Sequence, residues 1–128
     1  MCGIAGFAGQ WTPSLAEAMS KAIAHRGPDG SGLWAQHGVA LGHRRLSIID
    51  LTDAAAQPMH TPDGRYALTY NGEIYNYRDL RSGLEQYGTK FRTDSDTEVL
   101  LHLFARDGLA CVEKLNGIFA FAVWDRET

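Results

Sequence analysis

Short apolar runs separated by glycines, of which the chain has 14, predict a sheet-rich fold with several tight turns. Cys2 to Ala8 predicts a strand whose alternation puts Cys2, Ile4 and Gly6 on one face. Thr12-Pro13 offers a helix cap followed by proline at the first helical position, and Ser14 with Glu17 has capping-box spacing. Leu15, Ala18, Met19, Ala22 and Ile23 make one apolar stripe, so a helix is predicted from about residue 13 to 25. The Gly-Pro pair in His25-Arg26-Gly27-Pro28-Asp29-Gly30 predicts a loop. Leu33 to Gln36 and Val39 to Gly42 then read as a hairpin around His37-Gly38, and Leu51 to Gly64 as irregular and turn-rich.

Tyr66, Leu68 and Tyr70 alternate with Ala67 and Thr69, the period of a half-buried strand that runs directly into Asn71-Gly72-Glu73. Tyr77, Leu80, Leu84 and Tyr87 recur at helical spacing between the caps Asn76 and Gly88. Ser95 and Glu98 form another capping box, opening a helix with Val99, Leu100, Leu103 and Phe104 as its apolar face. The unbroken run Ile118 to Trp124 predicts a strand covered on both faces. Interleaved hairpins and helices predict an α+β fold with helices packed on antiparallel sheet. The chain stops at Val123-Trp124-Asp125-Arg126 with no capping element after the strand, which predicts a fragment of a larger protein.

Composition narrows the function classes. At 128 residues the chain is the size of one domain, and 45% hydrophobic with 21% charged residues is ordinary for a soluble globular protein. A formal charge of −3 gives no basic footprint for nucleic acid. No apolar stretch approaches the length of a membrane span and no secretory signal is present, so the cytoplasm is the expected location. A disulfide between Cys2 and Cys111 is not expected there, and Cys111 reads as a core residue. His25, His37, His43, His60 and His102 lack metal-ligand spacing, so no metal site is expected.

Cys2 carries the chemistry. Removal of Met1 would leave one residue with both a thiol and a free α-amine, and nucleophiles at a mature N-terminus use their own amine as proton acceptor. An α-amine titrates near ~7.7 to 8.0 and a thiol near ~8.5, so neither needs a large shift to exchange a proton near neutrality. The competing reading is a small residue packed in a buried strand. His25 or His43 as the cysteine's base is a further alternative.

Met1-Cys2-Gly3-Ile4, His25-Arg26-Gly27-Pro28-Asp29-Gly30, Arg45-Leu46-Ser47-Ile48-Ile49-Asp50, Asn71-Gly72-Glu73-Ile74-Tyr75-Asn76 and Ser95-Asp96-Thr97-Glu98-Val99 together span nearly the whole chain. In that order and spacing they resemble the N-terminal glutaminase domain of glutamine-hydrolysing asparagine synthetases, class II glutamine amidotransferases. Relatives that aminate sugar phosphates or phosphoribosyl pyrophosphate share the cysteine start but not the Arg-Gly-Pro-Asp and Leu-Ser-Ile-Ile-Asp wording. The resemblance implies an N-terminal-nucleophile hydrolase fold, a four-layer α/β/β/α sandwich, truncated here at its C-terminus. It implies that residues 1–128 are part of a glutaminase domain that cleaves L-glutamine to glutamate and ammonia through a thioester on Cys2. It further implies a C-terminal synthetase domain, absent from these residues, that uses ATP and magnesium to activate aspartate. No cofactor is expected within this chain, and a homodimer is the candidate assembly.

Chemistry gives each matched residue a reason to be there, and a plainer alternative. Amide hydrolysis builds negative charge on the carbonyl oxygen, which two preorganised donors can hold. Asn71 offers a side-chain amide and Gly72 a backbone N–H, although Asn-Gly also suits a simple turn at a strand end. The family register makes Arg45 the anchor of the substrate carboxylate, where an exposed strand arginine would otherwise be expected beside Arg44. Backbone groups of Leu46, Ser47, Ile48 and Ile49 would line the same wall. Glu73 and Asp96 fall at the positions for the substrate ammonium. Asp96 follows the cap Ser95, where a helix N-terminus favours an ionised carboxylate, and a first-turn acid is also common for helix stability alone. Two other functions stay open on these residues. The same glutaminase could feed a different amide-forming synthetase, or the domain could bind glutamine without cleaving it.

Overall fold

A computed structural model of the chain describes residues 2–46 and 52–128. β1 (Gly3–Ala8), β2 (Gly30–Gln36) and β3 (Val39–Arg45) form one antiparallel sheet in the order β1-β3-β2. β4 (Met59–His60), β5 (Tyr66–Ile74) and β6 (Gly117–Asp125) form a second, also antiparallel, in the order β4-β5-β6. α1 (Pro13–Ala22) covers the outer face of the first sheet, and α2 (Tyr77–Gln86) with α3 (Asp96–Asp107) covers the second. The layers therefore run helix, sheet, sheet, helix, with β3 and β1 meeting β5 at the centre. This is the α+β sandwich expected from the sequence.

Local chemistry moves several boundaries. α1 stops at Ala22 and gives way to a tight 3₁₀ turn over Ala24–Arg26, so the regular helix is shorter than its apolar stripe suggests. The Thr12 hydroxyl pairs with that of Ser14 at 2.8 Å instead of taking a backbone N–H, and the Ser14–Glu17 capping box does not form. Asn76 stands at the start of α2, but its side chain spans to the segment before β6. It donates to the Lys114 carbonyl and accepts from the Asn116 N–H, both at 2.9 Å.

At α3 half of the predicted box is present. Ser95 accepts the Glu98 N–H at 3.2 Å, while the Glu98 carboxylate turns to the N–H groups of Arg92 and Thr93. Burial would push the Glu98 pKa up, but His102, Arg92 and Thr93 all bond its ionised form and hold it at about 2.

β6 departs from the expectation of a strand covered on both faces. Phe119, Phe121 and Val123 pack against the helical layer with Leu68, Tyr70 and Ile74 of β5. The alternate residues Ile118, Ala120 and Ala122 are exposed, Ile118 at 66%. The run is uniformly apolar, yet β1 does not close over its second face; a cavity of about 430 Å³ bounded by Phe7, Leu41, Thr69 and Trp124 lies between the sheets.

Polar side chains also join the two sheets. Thr69 Oγ1 donates to the Gly42 carbonyl and His43 Nε2 to the Tyr70 carbonyl, each at 3.1 Å. His43 is 2% exposed. Its burial, aided by the Arg45 charge and opposed by the Tyr70 bond, lowers its pKa from 6.5 to about 4. At neutral pH the ring is uncharged with its donor on Nε2. The unfolded chain takes up a proton near 6.5 and the folded one only near 4, so stability falls as pH drops through that window. At ~1.4 kcal/mol per pH unit, the loss reaches about 3 kcal/mol. Urea unfolding at pH 7 and pH 4.5 is expected to show this slope and His43→Gln to flatten it; an equal slope in the variant contradicts the assignment.

Candidate functional site

The register of β1 on β3 sorts the residues around Cys2. Gly3 lies opposite Arg44, and both face α1. A Cβ on Gly3 would come within 2.9 Å of the Ile23 side chain, and Arg44 Nε donates to the Ser20 carbonyl at 2.9 Å and its hydroxyl at 3.1 Å. Alternation then turns Cys2, His43 and Arg45 to the other face, toward the second sheet. The adjacent arginines are thereby separated: Arg44 is committed to α1, and Arg45, half-buried, faces the same side as the thiol.

Cys2 is held from two directions. Its Sγ accepts the Leu46 N–H at 3.2 Å and lies 3.4 Å from the Leu46 carbonyl, to which the thiol donates. Arg26 Nε donates to the Cys2 carbonyl at 3.2 Å. Arg26 and Gly27 belong to the predicted loop, and its close packing explains the glycine. A Cβ on Gly27 would overlap the Arg44 carbonyl, and the Asp29 N–H donates to the Arg45 carbonyl at 2.9 Å. The loop therefore braces both Cys2 and Arg45.

The opposing wall is the edge of β5. In an antiparallel strand the N–H and C=O of alternate residues point to opposite edges. β4 pairs with β5 only as far as Met59 against Leu68, after which the β5 edge has no strand beside it among the described residues. Side chains take over. The Tyr70 N–H donates to Gln57 Oε1 at 2.6 Å, and the Ile74 N–H donates to Asp96 Oδ2 at 3.2 Å. The Gly72 N–H lies between them on that edge and meets no side-chain acceptor among the described residues. Gly72 has φ 151°, and a Cβ there would overlap the Ile118 carbonyl and meet Phe119 Cα, so glycine is required.

Asn71 and Glu73 project from the face that carries Thr69, toward the first sheet. Asn71 Oδ1, an acceptor, is buried and has no partner among the described residues, while the donor end of this carboxamide is Nδ2. Asn71-Gly72 is thus no turn: both residues are in β5, paired with Ala120 and Phe119 of β6. Adjacent amide donors on one rigid strand can bind an oxygen that gains negative charge.

Asp96 is 5% exposed and gives Oδ2 to both the Tyr70 hydroxyl at 2.6 Å and the Ile74 N–H. Its pKa is raised, contrary to the effect expected of a helix start. Burial is the largest cause, and the bonds from Tyr70, Ile74 and the first-turn N–H groups offset it only in part. Glu73 is exposed, and its charge, like that of Asp96 and of a Cys2 thiolate, acts on the Tyr70 phenol. Ser47, Ile48 and Ile49 lie outside the described residues.

The other candidates for chemistry fall away. His43 spends Nε2 on Tyr70, and its low pKa makes it a poor base for the thiol. The Cys111 thiol is buried and its pKa raised, first by desolvation and then by Asp107, which suits a packed residue. Among the described residues no cluster of His, Cys, Asp or Glu could hold a metal ion, and no helix is long and apolar enough to cross a membrane. Sequence reasoning did not single out Arg26, Gln57 or Tyr70. Arg26 sits in a segment whose wording was already distinctive, whereas Gln57 carried no signal.

Two stacked antiparallel sheets between helical layers, with Cys2 directly before the first strand, make a four-layer α/β/β/α sandwich. The fold is shared with the solved glutamine phosphoribosylpyrophosphate amidotransferase from Bacillus subtilis. The TM-score is 0.82 at 23% identity, over 98% of this chain and 35% of that one. Residues 1–128 match the glutamine amidotransferase domain family. The chain is 44% identical to asparagine synthetase [glutamine-hydrolyzing] 3 of Bacillus subtilis, over 99% of its own length and 22% of that protein's. It is 43% identical to asparagine synthetase B [glutamine-hydrolyzing] of Escherichia coli, over 85% and 19%. The chain belongs to the glutamine amidotransferase domain family, and spans about a fifth of the length of these curated relatives.

Proposed function

We propose that this chain is the glutaminase part of a glutamine-hydrolysing asparagine synthetase, with Cys2 as nucleophile and its own α-amine as base. The observation that carries the reading is the Gly72 N–H on the β5 edge, without a side-chain acceptor among the described residues, between two neighbours whose N–H groups are capped by Gln57 and Asp96. Such a donor beside Asn71 suits the oxyanion of amide hydrolysis. The names of relatives at 43–44% identity support glutamine as substrate and asparagine synthesis as destination.

In this reading Arg45 binds the substrate carboxylate, and Asp96 with Glu73 binds the ammonium. The Cys2 amine accepts the thiol proton and Sγ attacks the side-chain amide carbon. The carbonyl oxygen takes the negative charge, held by the Asn71 amide and the Gly72 N–H. The C–N bond then breaks, the leaving nitrogen takes the proton from the Cys2 ammonium, and a thioester remains. Water, deprotonated by the same amine, adds to the thioester and releases glutamate with the thiol restored. Leu46 holds Sγ and Arg26 holds the Cys2 carbonyl, so the nucleophile needs little reorganisation.

The ammonia would pass to a synthetase part of the same polypeptide, beyond these residues, where ATP and magnesium activate aspartate. Two unbridged cysteines support a cytoplasmic location.

Cys2→Ala is expected to lower glutamate release by at least ~10³-fold while the protein stays folded, and blocking removal of Met1 is expected to do the same. Undiminished release from either protein contradicts the mechanism. Arg45→Gln is expected to raise the KM for glutamine ~10- to 100-fold, the worth of a charge-assisted bidentate contact. Arg44→Gln is expected to lower thermal stability and leave KM near its original value; the reverse pattern in steady-state kinetics and melting would reassign the two arginines.

A further inference from the structure

Tyr70 is engaged at every polar atom. Its N–H donates to Gln57 Oε1 at 2.6 Å, its carbonyl accepts His43 Nε2 at 3.1 Å, and its hydroxyl donates to Asp96 Oδ2 at 2.6 Å. The residue is 3% exposed and its ring packs in the core beneath α3. Burial, then the Asp96 bond and charge, push the phenol pKa far up, so the hydroxyl stays protonated and can only donate to the carboxylate. The Ile74 N–H bonds the same Asp96 oxygen, which fixes how the carboxylate sits against the β5 edge.

The residue thus spans two layers. Its backbone is clamped from the first sheet by His43 and from the segment before β4 by Gln57, while its side chain reaches the first residue of α3. Asn71 and Gly72 follow directly in the strand. A shift of Tyr70 would move the oxyanion donors and the ammonium anchor relative to each other.

We propose that Tyr70 is a positioning residue that sets the separation between Asp96 and the Asn71-Gly72 donors, and hence the length of amino-acid amide the site accepts. The proposal rests on the glutamine-binding roles given above. Glutamine and asparagine carry the same ammonium, carboxylate and amide, and differ by one methylene between them. Only a fixed span between the anchor and the oxyanion donors distinguishes them, because every polar contact is available to both. An apolar pocket alone discriminates a single methylene weakly.

The test compares Tyr70→Phe, Asp96→Asn and the double variant in the active protein. Tyr70→Phe keeps the ring and removes the bond to Asp96. It is expected to raise the KM for glutamine on the order of 10-fold with kcat changed less than about 3-fold, and to reduce the preference for glutamine over asparagine in kcat/KM. In the Asp96→Asn background the same substitution is expected to add nothing to KM. An unchanged KM, a loss confined to kcat, or effects that multiply in the double variant would each overturn the proposal.

Calorimetric titration of L-glutamine into Cys2→Ala protein, with and without Tyr70→Phe, reads the same span without turnover, and an equal Kd overturns it. Gln57→Met, which frees the Tyr70 N–H and leaves the phenol in place, is the second variant. It is expected to lower kcat through the displaced donors, and unaltered kinetics count against the clamp. Cys2-dependent glutamate release that persists while Tyr70→Phe has no effect refutes only the positioning role. Absence of glutamine binding altogether refutes the glutaminase reading and this proposal together.

Discussion

Backbone N–H groups at a sheet edge need acceptors, and β5 extends past the two-residue strand that pairs with its edge. The positions at stake are Tyr70, Gly72 and Ile74. Gln57 takes the first and Asp96 the third, each from a different part of the chain, and the middle one has no side-chain acceptor among the described residues. Leaving a strong donor unsatisfied costs about 1–3 kcal/mol when it is fully buried, and Gly72 is only partly buried. Gly72 occupies the one backbone conformation of the strand, φ 151°, that side chains rarely adopt. The candidate site is therefore built from strand geometry first and side chains second.

The rest of the architecture holds that edge opposite the thiol. His43 and Thr69 fasten the sheets together at residues flanking the site, through bonds to main-chain carbonyls that leave little freedom of register. The Arg26–Asp29 loop grips both Cys2 and Arg45 from the far side of the first sheet. Burial then sorts the titratable groups. Tyr70 is kept as a donor and His43 as a neutral tie, while Asp96 is poised by opposing effects of desolvation and hydrogen bonds.

Much of this was legible in the residues themselves. Alternation located β1 and β5, the His37-Gly38 turn located β2 and β3, and the Ser95 cap located α3, because each is a local preference that the tertiary structure leaves in place. The Ser14–Glu17 box and the Asn76 cap failed where another partner was nearer: the Thr12 hydroxyl in one case and the Lys114–Asn116 backbone in the other. Asn71-Gly72 could have been a turn. Only pairing with β6, a segment some fifty residues later, makes it a strand, and no local pattern encodes that. Gln57 is the clearest omission, since a lone glutamine in a turn-rich segment gives no hint that it replaces a ladder bond. The distinction between Arg44 and Arg45 was likewise invisible until the register showed which faces α1.

The central claim is that Asn71 and Gly72 together receive the oxygen of a carbonyl under attack by Cys2. A crystal structure of the protein after reaction with a glutamine analogue whose amide is replaced by an electrophilic ketone tests it most directly. The account predicts a covalent bond to Cys2 Sγ, with the former ketone oxygen about 3 Å from both Asn71 Nδ2 and the Gly72 nitrogen. An adduct whose oxygen points away from that strand edge, or one formed at Cys111 with Cys2 untouched, would contradict it.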